Sequence, residues 1–213
     1  MAAFDDRKVY AKGSLEDAEN LDVLKLLRQW LEEAKASDPD DYNAMTLSTM
    51  GADGHPNARI VLLRAVLSND AGDALTFYTN YQSVKGREVL AHPHAAATFF
   101  WRDLERQLRV RGRVEQMPEA DSDRYFASRP RASQIGAWAS SQSEEVEGRS
   151  ALENAYAACA EKFEGDVPRP PHWGGFLIYI EEVEFWQGRP GRMHDRILAR
   201  KSGQGWTRRR LQP

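Results

Sequence analysis

Between Leu21 and Ala36 the apolar residues fall at Leu21, Val23, Leu24, Leu26, Leu27, Trp30 and Leu31. That is the spacing of one helix face, and Asp22 or Asn20 is placed to cap its start. After a polar loop, Ser37 to Tyr42, the pattern changes to short runs rich in β-branched and aromatic residues, divided by turn-formers. These runs are Ala44–Met50, Ala58–Leu67, Ala74–Thr79, Ala95–Trp101, Gln107–Gln116 and Gly175–Trp186, with shorter ones at Arg196–Arg200 and Trp206–Leu211. Helical spacing returns at Val84–Ala91, Glu119–Ala127 and Glu147–Phe163. Strands at hairpin spacing that do not alternate regularly with helices predict an antiparallel sheet closed into a barrel. The class is mainly β with flanking helices, α+β. Residues 1–20 are polar and read as a mobile N-terminal segment, and residues 21–213 as a single domain.

Composition narrows the choice. At 213 residues and 41% hydrophobic content the chain can bury a sizeable core. A net charge of −3 gives no global attraction to nucleic acid or to an anionic membrane. The single cysteine, Cys159, cannot form an internal disulfide, which fits a reducing cytoplasm; its expected role is packing. The five histidines lack metal-site spacing. Neither a G-x-G-x-x-G nor a P-loop sequence occurs, so a bound phosphate must be held by side chains.

Two strips supply such side chains. Ser128–Ser143, S-R-P-R-A-S-Q-I-G-A-W-A-S-S-Q-S, surrounds a short apolar island with arginines, serines and glutamines. Pro130 fixes one backbone angle between Arg129 and Arg131 and predicts a turn or extended strip. Guanidinium forks and hydroxyls are phosphate-binding groups. The second strip, F-W-Q-G-R-P-G-R-M-H-D-R, runs from Phe185 to Arg196. In an extended chain Arg192, His194 and Arg196 share one face, where three cations repel unless an anion sits among them. Arg59 and Arg64 bracket an apolar run and, five apart on one strand, point to opposite faces. The pattern leaves open whether they meet ligands or end a strand at solvent. Tyr78, Thr79, Ser83 and Lys85 lead from a strand into a helix start, where free N–H groups favour anions; an ordinary N-capped surface helix is the commoner arrangement. Arg109, Arg111 and Arg113 form a polar face, and Gln107 stands at that strand's start.

S-R-P-R-A-S-Q-I-G-A-W, E-F-W-Q-G…R-M-H-D-R and R-I-V-L-L-R (Arg59–Arg64) together resemble the pyridoxine/pyridoxamine 5′-phosphate oxidase family, from about Arg7 to Pro213. The resemblance implies a split β-barrel homodimer with FMN at two interface sites. It implies oxidation of pyridoxamine or pyridoxine 5′-phosphate to pyridoxal 5′-phosphate, with dioxygen reduced to hydrogen peroxide. Matching positions place flavin contacts at Arg59, Ile60, Val61, Leu62, Tyr78, Thr79, Lys85, Gln107, Gln142, Ser143, Trp186 and Arg196. The substrate phosphate would meet Arg64, Tyr125, Arg129 and Ser133. Arg192 and His194 would lie over the substrate ring as catalytic residues, and Arg7 and Tyr10 would belong to a lid. Arg64 stands where the family usually has Lys, and Val84 where it often has a second basic residue. The alternatives are another FMN oxidase of this fold, such as one acting on a dihydrophenazine, and a non-catalytic flavin or pyridoxal-phosphate carrier.

Overall fold

The computed structural model describes residues 9–15, 20–203 and 205–213. Helix α1 (Val23–Ser37) is capped by Asp22, whose carboxylate accepts from the Lys25 N–H at 3.0 Å. Its buried face, Val23, Leu27, Trp30, Leu31 and Ala34, joins the main core. Strands β1 (Ala44–Met50), β2 (Pro56–Leu62), β3 (Ala65–Asn69) and β4 (Gly72–Asn80) follow, then α2 (Val84–Ala91), β5 (His94–Trp101) and β6 (Arg106–Gln116). Three helices, α3 (Glu119–Ala127), α4 (Arg131–Ala139) and α5 (Arg149–Lys162), precede β7 (Trp173–Gln187), β8 (Asp195–Ser202) and β9 (Gly205–Leu211).

The described strands form one antiparallel sheet in the order β2-β1-β5-β6-β7-β4-β3, with β8 on β7 and β9 on β8. The long β7 makes the barrel split. One edge follows β6 from Phe176 to Gln187; the other pairs β4 from Trp173 to Tyr179 and β8 from Glu182 to Gln187. The change of partner coincides with a register shift opposite Arg111 and Gly112. A Cβ at Gly112 would lie 1.7 Å from the Tyr179 carbonyl oxygen, so the bulge needs glycine there. Inside, Trp30, Phe77, Phe99, Phe176 and Phe185 are fully buried. Among the described residues no helix is long and apolar enough to cross a membrane.

Three expectations are corrected. The run Ala58–Leu67 is two strands: Leu63 and Arg64 form a corner in which the Arg64 N–H donates to the Thr76 carbonyl. Arg59 and Arg64 therefore do not share a strand. The Ser128–Ser143 strip is not extended through its middle. Pro130, at φ −53°, instead starts α4, and its carbonyl accepts from the Ser133 and Gln134 N–H groups. A fixed φ near −60° suits a helix start as well as a turn. Finally, Arg192, His194 and Arg196 do not lie on one extended face. Arg192 ends a 3-10 turn at φ 62°, His194 lies beyond it, and only Arg196 is in β8.

Candidate functional site

Sequence-distant residues converge where β2, the end of β4, the start of α2 and the α3–α4 segment meet. A cavity of about 310 Å³ is lined by Ile60, Val61, Leu62, Arg64, Tyr78, Thr79, Lys85, Tyr125, Arg129, Gln142 and Trp173. A neighbouring one of about 290 Å³ shares Arg129, Gln142 and Trp173 and adds Ser133. Lys85 Nζ donates to the hydroxyls of Thr79 (3.2 Å) and Ser83 (3.4 Å) rather than to a carboxylate. Burial pulls its pKa down, Arg59 adds to the lowering, and Glu88 opposes it. The Gln142 side-chain carbonyl accepts from Thr79 (3.3 Å) and from the Asn80 N–H (3.4 Å). Ser143, at φ 76°, accepts from the Val84 N–H at 3.3 Å, which joins its loop to the start of α2.

The other wall is aromatic and cationic. Tyr78 and Tyr125 stack at 3.7 Å, and Tyr78 and Trp173 at 5.5 Å. Burial, with Tyr125 adding to it, pushes the Tyr78 hydroxyl up to about 12, so it stays protonated. The Arg129 guanidinium lies 4.3 Å above the Trp173 ring and 5.5 Å from that of Phe126. Its Nη1 is buried without a hydrogen-bond partner. Burial lowers its pKa; Tyr125 acts in the opposite sense, and Arg64 adds to the lowering. A buried donor left unpaired beside a second cation is a place for an anion.

Arg59 does not line this cavity. Its guanidinium turns to Glu88 (3.0 Å), Thr49 and the Leu47 carbonyl. Glu88, which also accepts from Asn57, thus fixes the cation that depresses Lys85.

A second group of expected residues lies along the sheet. In register, Gln107 of β6 faces Trp186 of β7, which faces Arg196 of β8. Arg196 pairs with buried Glu184 at 2.8 Å, and Glu184 also holds Arg109 at 2.8 Å, so a carboxylate separates those cations. His194 packs 4.7 Å from Trp186, and its Nδ1 accepts from the Arg189 N–H at 3.1 Å. With Nδ1 used as an acceptor, the ring's N–H donor is Nε2. Tyr10 lies edge-on to Trp186 and His194; Arg192 is exposed, and Arg7 is outside the described residues. None of this group lines the Arg129 cavity. By register, Ile60 and Leu62 of β2 stand on the same face as Gln107 and Trp186; they are 64% and 38% exposed, and Phe100 is 59% exposed.

Trp173 was not among the expected site residues, although it floors the Arg129 guanidinium. Its signal was the Gly174-Gly175 pair that follows. A Cβ at Gly174 would meet the Tyr81 hydroxyl at 1.9 Å, and one at Gly175 would meet the Tyr78 ring at 2.9 Å. Paired glycines in a strand mark close packing of this kind.

A family model described as pyridoxamine 5′-phosphate oxidase matches residues 31–162. The chain belongs to the pyridoxamine 5′-phosphate oxidase family. A second model, described as the pyridoxine 5′-phosphate oxidase C-terminal dimerisation region, matches residues 173–213. A Burkholderia multivorans protein named pyridoxine/pyridoxamine 5′-phosphate oxidase is 48% identical over 208 residues, 96% of this chain and 95% of its own length. A Rhodospirillum rubrum protein of the same name is 50% identical over 202 residues, 94% of this chain and 99% of its own. Among solved structures, PhzG from Burkholderia lata 383, crystallised with tetrahydrophenazine-1-carboxylic acid, matches with a TM-score of 0.82 at 27% identity. It covers 89% of this chain and 92% of that one. The fold is the split barrel of this oxidase family.

Proposed function

We propose that the protein is an FMN-dependent pyridoxal 5′-phosphate synthase of vitamin B6 metabolism. It oxidises pyridoxamine or pyridoxine 5′-phosphate with dioxygen and releases hydrogen peroxide. The observation that carries this reading is the partnerless, buried Nη1 of Arg129 beside Arg64, in the same cavity as Lys85. Two separate cationic groups in one cavity fit two phosphates, one on a flavin mononucleotide and one on the substrate.

The residues present fit FMN. Lys85, Gln142 and Ser143 would hold its phosphate, with Ile60 to Leu62, Tyr78 and Thr79 alongside, while Arg59, paired with Glu88, adds positive charge from behind Lys85. When bound, FMN supplies the two-electron chemistry. Arg64, Tyr125, Arg129 and Ser133 would hold the substrate's 5′-phosphate. Arg192 orients the substrate, because a guanidinium does not accept protons at ordinary pH. The Arg189 contact to Nδ1 supports a donor role for His194 through Nε2–H.

We further propose that each site is completed across a homodimer. The Gln107–Trp186–Arg196 row lies away from the cavity but on the same sheet face as Ile60 and Leu62. A second copy seated on that face would bring its row to this cavity. The dimerisation description of the C-terminal family model supports this. A monomer that retained stoichiometric FMN and full activity would contradict it. A cytoplasmic location belongs to the same reading, in keeping with the lone Cys159.

Rapid mixing with pyridoxamine 5′-phosphate without oxygen tests the residue roles through the bleaching of the flavin. Arg192→Ala and His194→Ala should copurify with FMN yet reduce it more slowly than wild type. If both variants reduce FMN at the wild-type rate, these residues are structural.

A further inference from the structure

The segment from Tyr10 to Leu15 is strapped onto the end of β7, which carries Trp186, and the start of β8, which His194 precedes. Glu105, 3% exposed, accepts at one carboxylate oxygen, Oε2, from the N–H groups of Ala11 (2.7 Å) and Lys12 (3.0 Å). Asp195 accepts from the Leu15 N–H at 3.1 Å. Arginines take the carbonyls: Arg189 donates to Gly13 and Arg210 to Leu15, each at 2.8 Å. Backbone groups that a surface segment normally leaves to water are here bound by charged side chains. The strap sets the Tyr10 ring 5.6 Å from Trp186 and 5.3 Å from His194, edge-on to both.

The seat is closely fitted. A Cβ at Gly188 would lie 2.4 Å from the Tyr10 ring, and one at Gly13 would lie 2.9 Å from the Gln187 amide oxygen. Glu105 itself sits at φ 55°, a conformation that disfavours side chains other than those of Gly, Asn and Asp. This conformation ends the 3-10 turn Arg102–Leu104, with the Glu105 N–H donating to the Arg102 carbonyl, and the buried carboxylate faces the strap.

We propose that Glu105 is a positioning residue: its carboxylate anchors the strap and seats Tyr10 against His194, and the seated strap sets the affinity for substrate. The identity of that substrate rests on the oxidase reading; the anchor does not. Glu105→Gln keeps the shape but removes the charge that strengthens both strap bonds. Gly188→Ala displaces the Tyr10 ring and leaves the carboxylate in place.

The test compares these two variants with wild type as FMN-loaded protein. Hydrogen exchange is followed in the peptide spanning residues 9–15, and KM and kcat are measured with pyridoxamine 5′-phosphate. In wild type the Ala11 and Lys12 amides should be protected, and in Glu105→Gln they should exchange about tenfold faster. Both variants should raise KM by about tenfold while kcat stays within about threefold and FMN content is unchanged. Wild-type exchange in Glu105→Gln overturns the anchor. Wild-type KM in both variants overturns the link to affinity. Should Glu105→Gln fail to fold, Gly188→Ala decides through KM and through exchange of the Tyr10 segment. If wild type does not turn over pyridoxamine 5′-phosphate, the substrate assignment fails, and the exchange comparison still decides the anchor.

Discussion

Arg129→Ala separates binding from stability, because the two should move independently. The protein holds the Arg129 guanidinium at a cost: one nitrogen is buried without a hydrogen-bond partner from the chain, and Arg64 lies nearby. An unsatisfied buried donor costs about 1–3 kcal/mol. Its position 4.3 Å over Trp173 returns about 0.5–2 kcal/mol. These contributions nearly offset, so truncation should change unfolding free energy by less than about 1 kcal/mol. A phosphate would convert the same group into a charge-assisted partner, and losing that bond costs about 1.5–3 kcal/mol. KM for pyridoxamine 5′-phosphate should then rise about ten- to hundredfold, with FMN still bound. Urea unfolding and steady-state kinetics on one preparation measure both. A KM equal to wild type would refute the phosphate assignment. A stability loss above about 2 kcal/mol would refute the claim that Arg129 is held at a cost.

Three further outcomes follow from packing and charge. Trp30 is 2% exposed, lies edge-on to Phe185 at 5.2 Å and has the Arg106 guanidinium 4.7 Å above it, so Trp30→Ala should lose about 3–5 kcal/mol in urea unfolding. Burial alone would raise the Glu88 carboxyl, but Thr49, Asn57 and Arg59 outweigh it and hold the pKa below the ordinary 4.5. Its contribution is therefore full above 4.5 and lost as pH falls through the lowered value; Glu88→Gln should remove that part of the acid sensitivity and cost about 3 kcal/mol at neutral pH. Because the Lys85 pKa is depressed below 10.5, its charge is lost earlier than usual as pH rises. FMN affinity, followed by flavin fluorescence, should fall across that alkaline window in wild type, and the fall should be absent in Lys85→Arg.

Periodicity located α1, β5 and β6 because each buries a single face. The α1 stripe and the alternation in β5 and β6 were legible for that reason, and the observed burial follows them. It failed where a local constraint outranked the pattern. The run from Ala58 to Leu67 reads as one strand, yet the chain turns at Leu63–Arg64 because Asn43 and Thr76 take its backbone groups, and those partners are distant in sequence. Pro130 serves turns and helix starts alike, so α4 was missed. For the site, Lys85, Arg64, Arg129, Tyr125 and Gln142 were named through motif resemblance, and the fold brings them to one cavity. The turn of Arg59 toward Glu88 could not be read, since nothing in the local pattern near either residue marks the pair. Glu105 was also hidden: it stands between the runs Ala95–Trp101 and Gln107–Gln116, where nothing local marks it, and only the fold buries it.

The most direct test of the function is aerobic turnover by the purified, FMN-loaded protein. Pyridoxamine 5′-phosphate, unphosphorylated pyridoxamine and a dihydrophenazine carboxylate are compared, and both the aldehyde product and hydrogen peroxide are measured. The account predicts that the phosphorylated amine is turned over with equal amounts of aldehyde and peroxide, and that the unphosphorylated amine is oxidised far less efficiently. Equal turnover of both amines would contradict the role of Arg64 and Arg129. Oxidation of the dihydrophenazine alone would contradict the proposed function.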